Sequence, residues 1–505
     1  MTRKLLFRTL LFSALAMLAC AIVAGMLPSP RPAYDNQAQA GPIHNLIDWI
    51  RNHRHPPQPV PPAPVPPAPE PTPDPVPPAP PTPPTPITGL RVLICGPSPR
   101  AVRDLSPDQA ALLTSRTFRD WTDAACEKSP GGIPAFRILS KSASLPADWA
   151  DLAALAPSDR CALVAVMPNK PALVLLPLPD TATAIAKLTE YSGVAKALPR
   201  LPPAPRCREL SPERLKALAG AGGKVTVDGK VRFLTAKPRD KKKHPYGSAP
   251  GTVPLSATGV RIIPRSEWPA YIAARKAANA GLMALTYGKV PCSDQNGLGY
   301  CWVHSSKNSW QTTAYTQGFG SIELSAVSIG GPLTGYRNEG GWPADSIRFL
   351  KDTGGVRTSL WPENDLDSRY AKRPEVQADY PRHKIADTIA DLGASGKMFD
   401  EVATCLLLGC PCAVSYDWWQ HAVEGEDIQQ EASGKYSIIC RNSWGDEWSD
   451  GDNGFFAMPE GKGTPDDAQA VMLVNAESPP AKANGVPVTI DVRPCPSGTC
   501  PLLGR

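Results

Sequence analysis

The apolar positions of this chain change period along its length. Leu90–Cys95 (LRVLIC) is a nearly unbroken apolar run, the pattern of a strand covered on both faces. Ser106 to Cys126 switches to helical spacing, opened by Ser106-Pro107-Asp108, with serine as the cap and proline in the first turn. Pro134–Ser140 reads as a second strand and Ala147–Ala156 as a short helix. Cys161–Met167 and Ala172–Leu178 read as a hairpin around Pro168-Asn169-Lys170, and Thr181–Tyr191 as a closing helix. Residues 90–194 are therefore expected to form a small α/β domain in the order β-α-β-α-β-β-α. Residues 256–476 are less periodic and rich in Trp and Gly, with an early helix over Trp302–Tyr315 and later strands, which predicts an α+β domain. Within it, Leu406–Val414 (LLLGCPCAV) reads as a buried strand entering the core.

The remaining segments do not read as globular. Arg3, Lys4 and Arg8 precede an apolar run from Thr9 to Leu27, so residues 1–40 are expected to be a signal peptide or an N-terminal membrane anchor. Either way the protein is exported: secreted, periplasmic or held on the outer face of the membrane. Of 505 residues, 60 are proline, about twice average usage. Most of the excess lies in residues 41–89, a disordered, proline-rich linker whose alternation over 56–86 favours extended polyproline II. Residues 195–255, rich in Pro, Lys and Gly, read as a connector with a hairpin or as a propeptide-like segment. Residues 477–505 are a tail in which Cys495 and Cys500 flank a turn suited to a local disulfide. A net charge of +6 on so long a chain argues against a nucleic-acid surface, and the basic run Arg239–His244 reads as a solvated loop.

Thirteen cysteines are an odd number, so in an exported chain at least one thiol is left over as a candidate nucleophile. Cys301 has the right surroundings. Gly297 and Gly299 allow a tight loop before it, and the helix it opens presents the positive end of its dipole, which favours the thiolate. The backbone N–H of Cys301 and the side-chain amide of Gln295 can together form an oxyanion hole. Cys405, Cys410 and Cys412 lack a fourth ligand at a recognised spacing, so no metal site is expected. His304 and His383 read as structural and surface histidines respectively.

The run Gln295-Asn-Gly-Leu-Gly-Tyr-Cys301-Trp302 resembles the signature of papain-like cysteine peptidases. Downstream, Gln420-His421-Ala422-Val423 resembles that family's histidine segment, and Tyr436–Gly445 its strand ending in Asn442-Ser443-Trp444-Gly445. Asn338–Pro343 resembles its substrate-binding glycine pair. The resemblance implies a two-lobed domain, helical around Cys301 and strand-rich around His421. It implies a cysteine endopeptidase with Cys301 as nucleophile, His421 as its base, Asn442 orienting that base and Gln295 in the oxyanion hole. Gly340, Gly341 and Trp342 would bind substrate, with Trp302 and Trp444 supporting. No cofactor is implied, and the substrates would be polypeptides in extended conformation. Residues 90–194 resemble a minimal thioredoxin-like domain, but Cys95-Gly96-Pro97-Ser98 holds one sulfur only, so a binding or spacing role is expected.

Some positions depart from the family pattern. Leu298 stands where a disulfide cysteine is usual. Tyr300 is bulky beside the nucleophile and is expected to narrow the cleft. Glu424, Glu426 and Asp427 follow the histidine segment where an apolar strand is usual. That acidic run motivates the alternative reading, a catalytically impaired pseudo-enzyme or surface scaffold that binds polypeptides. Of Trp418 and Trp419, one ring is expected in the cleft and one in the core.

Overall fold

A computed structural model of the chain describes residues 89–476, apart from 97–104, 130–131, 142–144, 146, 195–206, 208, 220–222, 387–388, 447 and 449–451. The expected signal or anchor with its apolar run 9–27, nearly all of the proline-rich linker and the tail with Cys495 and Cys500 lie outside the described residues. Among the described residues no helix is long and apolar enough to cross a membrane.

The first layer runs β1 (Arg91–Gly96), α1 (Pro107–Leu113), α2 (Arg116–Ala125), β2 (Phe136–Ser140), α3 (Ala147–Leu155), β3 (Ala162–Val166), β4 (Leu173–Leu175) and α4 (Thr181–Ser192). Its sheet has the order β2-β1-β3-β4, with β1 parallel to β2 and the other pairs antiparallel. The expected helix from Ser106 to Cys126 is two helices. Ser115 breaks it by accepting from the N–H of Phe118 at 3.1 Å and donating to the carbonyl of Ala278 at 2.9 Å. A serine that bonds locally favours a cap over a helix interior.

This layer shares its core with the helices and strands after residue 300. Leu93, Cys95 and Trp149 pack in one cluster with Trp310, Phe319 and Val471. The Ile138 N–H donates to the carbonyl of Gln317 (3.1 Å), and Arg137 donates to that of Gly318 (2.8 Å). Next in the chain come α5 (Pro212–Leu218) and a hairpin of β5 (Lys224–Val227) and β6 (Lys230–Phe233). Residues 234–252 then lead into β7 (Val253–Pro254), a parallel edge strand of the main sheet.

The rest mixes helices and sheet as expected. A helical part holds α6 (Trp268–Ala277), α7 (Leu282–Thr286), α8 (Cys301–Thr316), α9 (Ala326–Thr334), α10 (Pro343–Asp352) and α11 (Pro374–Asp379). A strand-rich part holds β8 (Lys384–Ile385), β9 (Ile389–Asp391), α12 (Met398–Leu407), β10 (Cys412–Tyr416), β11 (His421–Gln430), β12 (Tyr436–Arg441), β13 (Phe455–Pro459), α13 (Glu460–Gly463), β14 (Asp467–Val471) and β15 (Val474–Asn475). The main sheet has the order β13-β12-β11-β10-β14-β9-β7. Helix α8 packs on β10 and β11, and all of its 16 residues except Tyr315 are buried. Several of its polar side chains have hydrogen-bond partners: Ser306 donates to the carbonyl of Pro343, Thr313 to that of Ser309, and Asn308 accepts from Ser293.

Two sequence expectations need correction here. Leu406–Val414 is not one strand. Leu406 and Leu407 end α12, and the strand starts only at Cys412, after a turn at Gly409 whose φ of +80° suits glycine. His383 is not at the surface. It is fully buried, edge-on to Trp310 and 3.5 Å from the carboxylate of Asp379.

Candidate active site

Cys301 is the first residue of α8, and its side chain is fully buried. The loop before it is held at several points. The Gln295 N–H donates to the carbonyl of Ser443, the Leu298 N–H to that of Gln295, and the Gly299 N–H to the Asn338 side chain at 2.6 Å. Gly297 takes a left-handed φ of +82°, which turns the chain toward the helix. Tyr300, expected to narrow the cleft, instead points away from it. Its hydroxyl bonds to Thr334 (2.7 Å) and to the carbonyl of Arg337, and its ring packs against Gly330.

His421 opens β11 directly after a tight turn from β10, with Gln420 at a positive φ of 52°. Its Nε2 lies 2.9 Å from Oδ1 of Asn442, and that same oxygen accepts from the N–H of Ser443. Nδ1 makes no hydrogen bond to the described residues. Burial pushes the Cys301 thiol up, but the charge of His421, the imidazole's contact with the sulfur and the backbone groups of Thr235 and Ala422 together outweigh burial and lower it to about 7. Trp444 lies 4.9 Å and Trp419 4.5 Å from the imidazole, centroid to centroid. Both rings are buried, so they keep water from the His421–Asn442 contact. Trp418 stacks on Trp419 at 5.8 Å on its outer side.

The acidic run lies elsewhere than expected. β11 forms along its full length, and Asp427 sits at a bulge, paired with Arg275 at 2.8 Å. Glu424 and Glu426 turn away from the cleft into the contact between sheet and helices. Glu426 accepts from Thr286 at 2.7 Å and lies 3.7 Å from Arg441, while Glu424 faces Thr312 of α8. Burial, then the charge of Glu426, holds the Glu424 carboxyl well above the usual carboxylate range.

The structure also contains a feature that the sequence reading missed. Residues 232–239, a strap, run through the groove over Cys301. Arg232 begins it, donating to Asp294 (3.1 Å) and to the carbonyl of Trp444 (3.0 Å). The side-chain amide of Gln295 donates to the carbonyl of Phe233 at 3.2 Å and to that of Leu298 at 2.7 Å. The Thr235 hydroxyl lies 3.7 Å from the Cys301 sulfur and donates to Gly299. Ala236 packs against Cys301 and Ala422 and pairs in parallel with Gly341, and the Lys237 N–H donates to the Gly341 carbonyl at 2.8 Å. A β-carbon on Gly340 would sit 2.1 Å from the Thr235 carbonyl oxygen, and one on Gly341 would meet the Trp302 ring at 2.5 Å. The glycine pair is therefore needed for this close approach. Trp342, named from sequence as substrate-binding, lies beneath residues 239–249. Its indole donates to Asp467 at 2.5 Å. In the sequence, Lys237-Pro238 signals extended backbone, but nothing there says which groove it fills.

No protein-family model matches the chain. A search of curated proteins finds thiol protease aleurain of Arabidopsis thaliana, 28% identical over 200 residues that make up 34% of this chain and 53% of that protein. It also finds pro-cathepsin H of Medicago truncatula, 28% identical over 196 residues, 34% of this chain and 53% of that protein. The chain resembles papain-like cysteine proteases. It spans about half the length of the curated relatives it matches. Among solved structures, xylellain, a cysteine protease from Xylella fastidiosa, aligns with a TM-score of 0.30 at 18% identity, over 36% of this chain and 83% of that one.

Proposed function

We propose that the protein is an exported cysteine endopeptidase that hydrolyses extended polypeptides through Cys301, His421 and Asn442. The observation that carries this reading is the arrangement of the three side chains: a thiol at a helix N-terminus, an imidazole that lowers it to about 7, and an amide oxygen 2.9 Å from that imidazole's far nitrogen. In the reaction the Cys301 thiolate attacks the peptide carbonyl and forms a thioester. His421 carries the thiol proton to the departing amine, then takes a proton from the water that hydrolyses the thioester. Asn442 fixes the ring angle and tautomer. Gln295 and the Cys301 N–H stabilise the oxyanion. The Gln295 amide already binds a carbonyl oxygen in this groove, that of Phe233.

The strap 232–239 is the resting occupant of the cleft. Its parallel pairing with Gly341 and its burial of Cys301 support an inhibitory role for residues 195–255. For residues 90–194 we propose a thioredoxin-like binding module, supported by the strand order β2-β1-β3-β4. The pseudo-enzyme alternative loses its motive, because the acidic run that prompted it faces away from the groove. The test is hydrolysis of an unfolded protein substrate by the chain with its strap loosened (Arg232→Ala), with Cys301→Ser in the same background as control. Cleavage abolished by Cys301→Ser supports the reading, and no cleavage with a freely labelled Cys301 contradicts it.

A further inference from the structure

The strap ends on a fully buried charged side chain. The guanidinium of Arg239, read from sequence as part of a solvated loop, has no exposed surface. It forks onto Asp391 (2.7 and 2.6 Å), bonds Asp467 (2.9 Å), and donates to the carbonyls of His244 (2.6 Å) and Pro245 (2.7 Å). The rings of Tyr246 and Trp342 flank it at 5.1 and 5.6 Å. Gln469 braces both carboxylates.

The walls of this pocket do not belong to the strap. Asp391 and Asp467 stand on β9 and β14 of the main sheet. The Pro245–Ala249 loop is tied to them by the Tyr246 hydroxyl on the Asp466 carbonyl (2.8 Å) and the Ala249 N–H on Asp391 (3.0 Å). Two buried carboxylates aimed at one point cannot stay charged and empty; they need a cation. The acceptors match the planar fork of a guanidinium better than an ammonium. The pocket also adjoins the Gly341 edge, since Trp342 follows Gly341 in the chain and Lys237, two residues before Arg239, bonds to Gly341. An extended substrate that pairs with that edge therefore has a side-chain position over the same pocket.

Building on the peptidase reading above, we propose that the Asp391–Asp467 pocket selects arginine in the polypeptide substrate, and that Arg239 occupies it in the resting protein as an internal mimic. Displacing the strap from Cys301 then exposes a site whose two carboxylates call for a guanidinium group.

The experiment uses the full chain with Arg239→Ala in the Arg232→Ala background, so that the strap is loosened at both ends, and, should that variant not fold, Arg239→Lys in the same background, which keeps a smaller cation. Peptidyl fluorogenic amides carry arginine, leucine or glutamate at the first, second or third residue before the amide. The expected result is a kcat/KM for arginine at one of these positions about tenfold or more above leucine, reduced to about threefold or less by a further Asp467→Asn. Binding is read separately from the melting temperature with added arginine amide, which should rise in the Arg239 variant and not in the one that also carries Asp467→Asn. Hydrolysis with no arginine preference, or no thermal shift by arginine amide, overturns the pocket. A thermal shift that depends on Asp467, with no hydrolysis of any peptide, upholds the pocket and overturns the peptidase reading instead.

Discussion

At the scale of single residues, the chemistry depends on His421 offsetting the cost of burying a thiolate. With the imidazole gone, burial, the largest influence on Cys301, is opposed only by the backbone groups of Thr235 and Ala422, and the thiol rises. His421→Ala should therefore slow alkylation of Cys301 at neutral pH by about 15-fold or more, as the thiolate fraction falls from about half to a few per cent or less. Mass spectrometry of the labelled peptide measures this. A second residue-scale prediction concerns Glu424, whose folded-state pKa is raised by burial and by Glu426. A raised carboxyl contributes full stability while protonated, at and below the ordinary carboxylate range. That stability is lost as pH rises through the folded-state value. Glu424→Gln keeps the shape and cannot ionise. It should melt like the native protein in acid and be more stable than it in mild alkali, as read by thermal melts across pH. Both histidine and acidic run were visible in the sequence. Their orientation was not, because a strand sends alternate side chains to opposite faces, and only the docking of α8 decides which face is the cleft.

At the scale of elements, the strap controls access. Arg232 fastens its start to Asp294 and the Trp444 carbonyl, and Arg239 fastens its end. Arg232→Ala removes the more exposed of the two anchors, since Asp294 is partly in solvent while the Arg239 network is not. It should raise the labelling rate of Cys301 by about tenfold with little loss of stability, an outcome read from label incorporation beside a thermal melt. The helix starting at Cys301 and the strand leading to Asn442 were legible from local signals, whereas for residues 195–255 a hairpin was one of two readings. The path of residues 234–239 was not. Its register comes from contacts with Gly299, Gly341 and Gln420, each far away in sequence. For the same reason the sequence could place Arg239 only in a charged run. Burying it takes two carboxylates that lie 152 and 228 residues further on.

At the scale of the whole molecule, the first layer is part of the body that holds the site. Its strands share a core cluster with Trp310 of α8, and Arg137 and Arg119 donate to the carbonyls of Gly318 and Thr316 at the end of that helix. Deleting residues 89–194 should expose this apolar face and leave the remainder aggregated, a result that sedimentation of the expressed fragment would test. The order of elements in this layer followed from hydrophobic runs, whereas its fusion to the next layer left no local mark. Patterning reports that a face is apolar but not what covers it.

The central claim is that a buried sulfur is ionised near neutrality by the imidazole facing it. Its most direct test is the rate of Cys301 alkylation against pH in the Arg232→Ala protein. The account predicts an inflection at about 7 that disappears when His421 is replaced by alanine. An inflection at or above the ordinary thiol value, unchanged by that replacement, would contradict it.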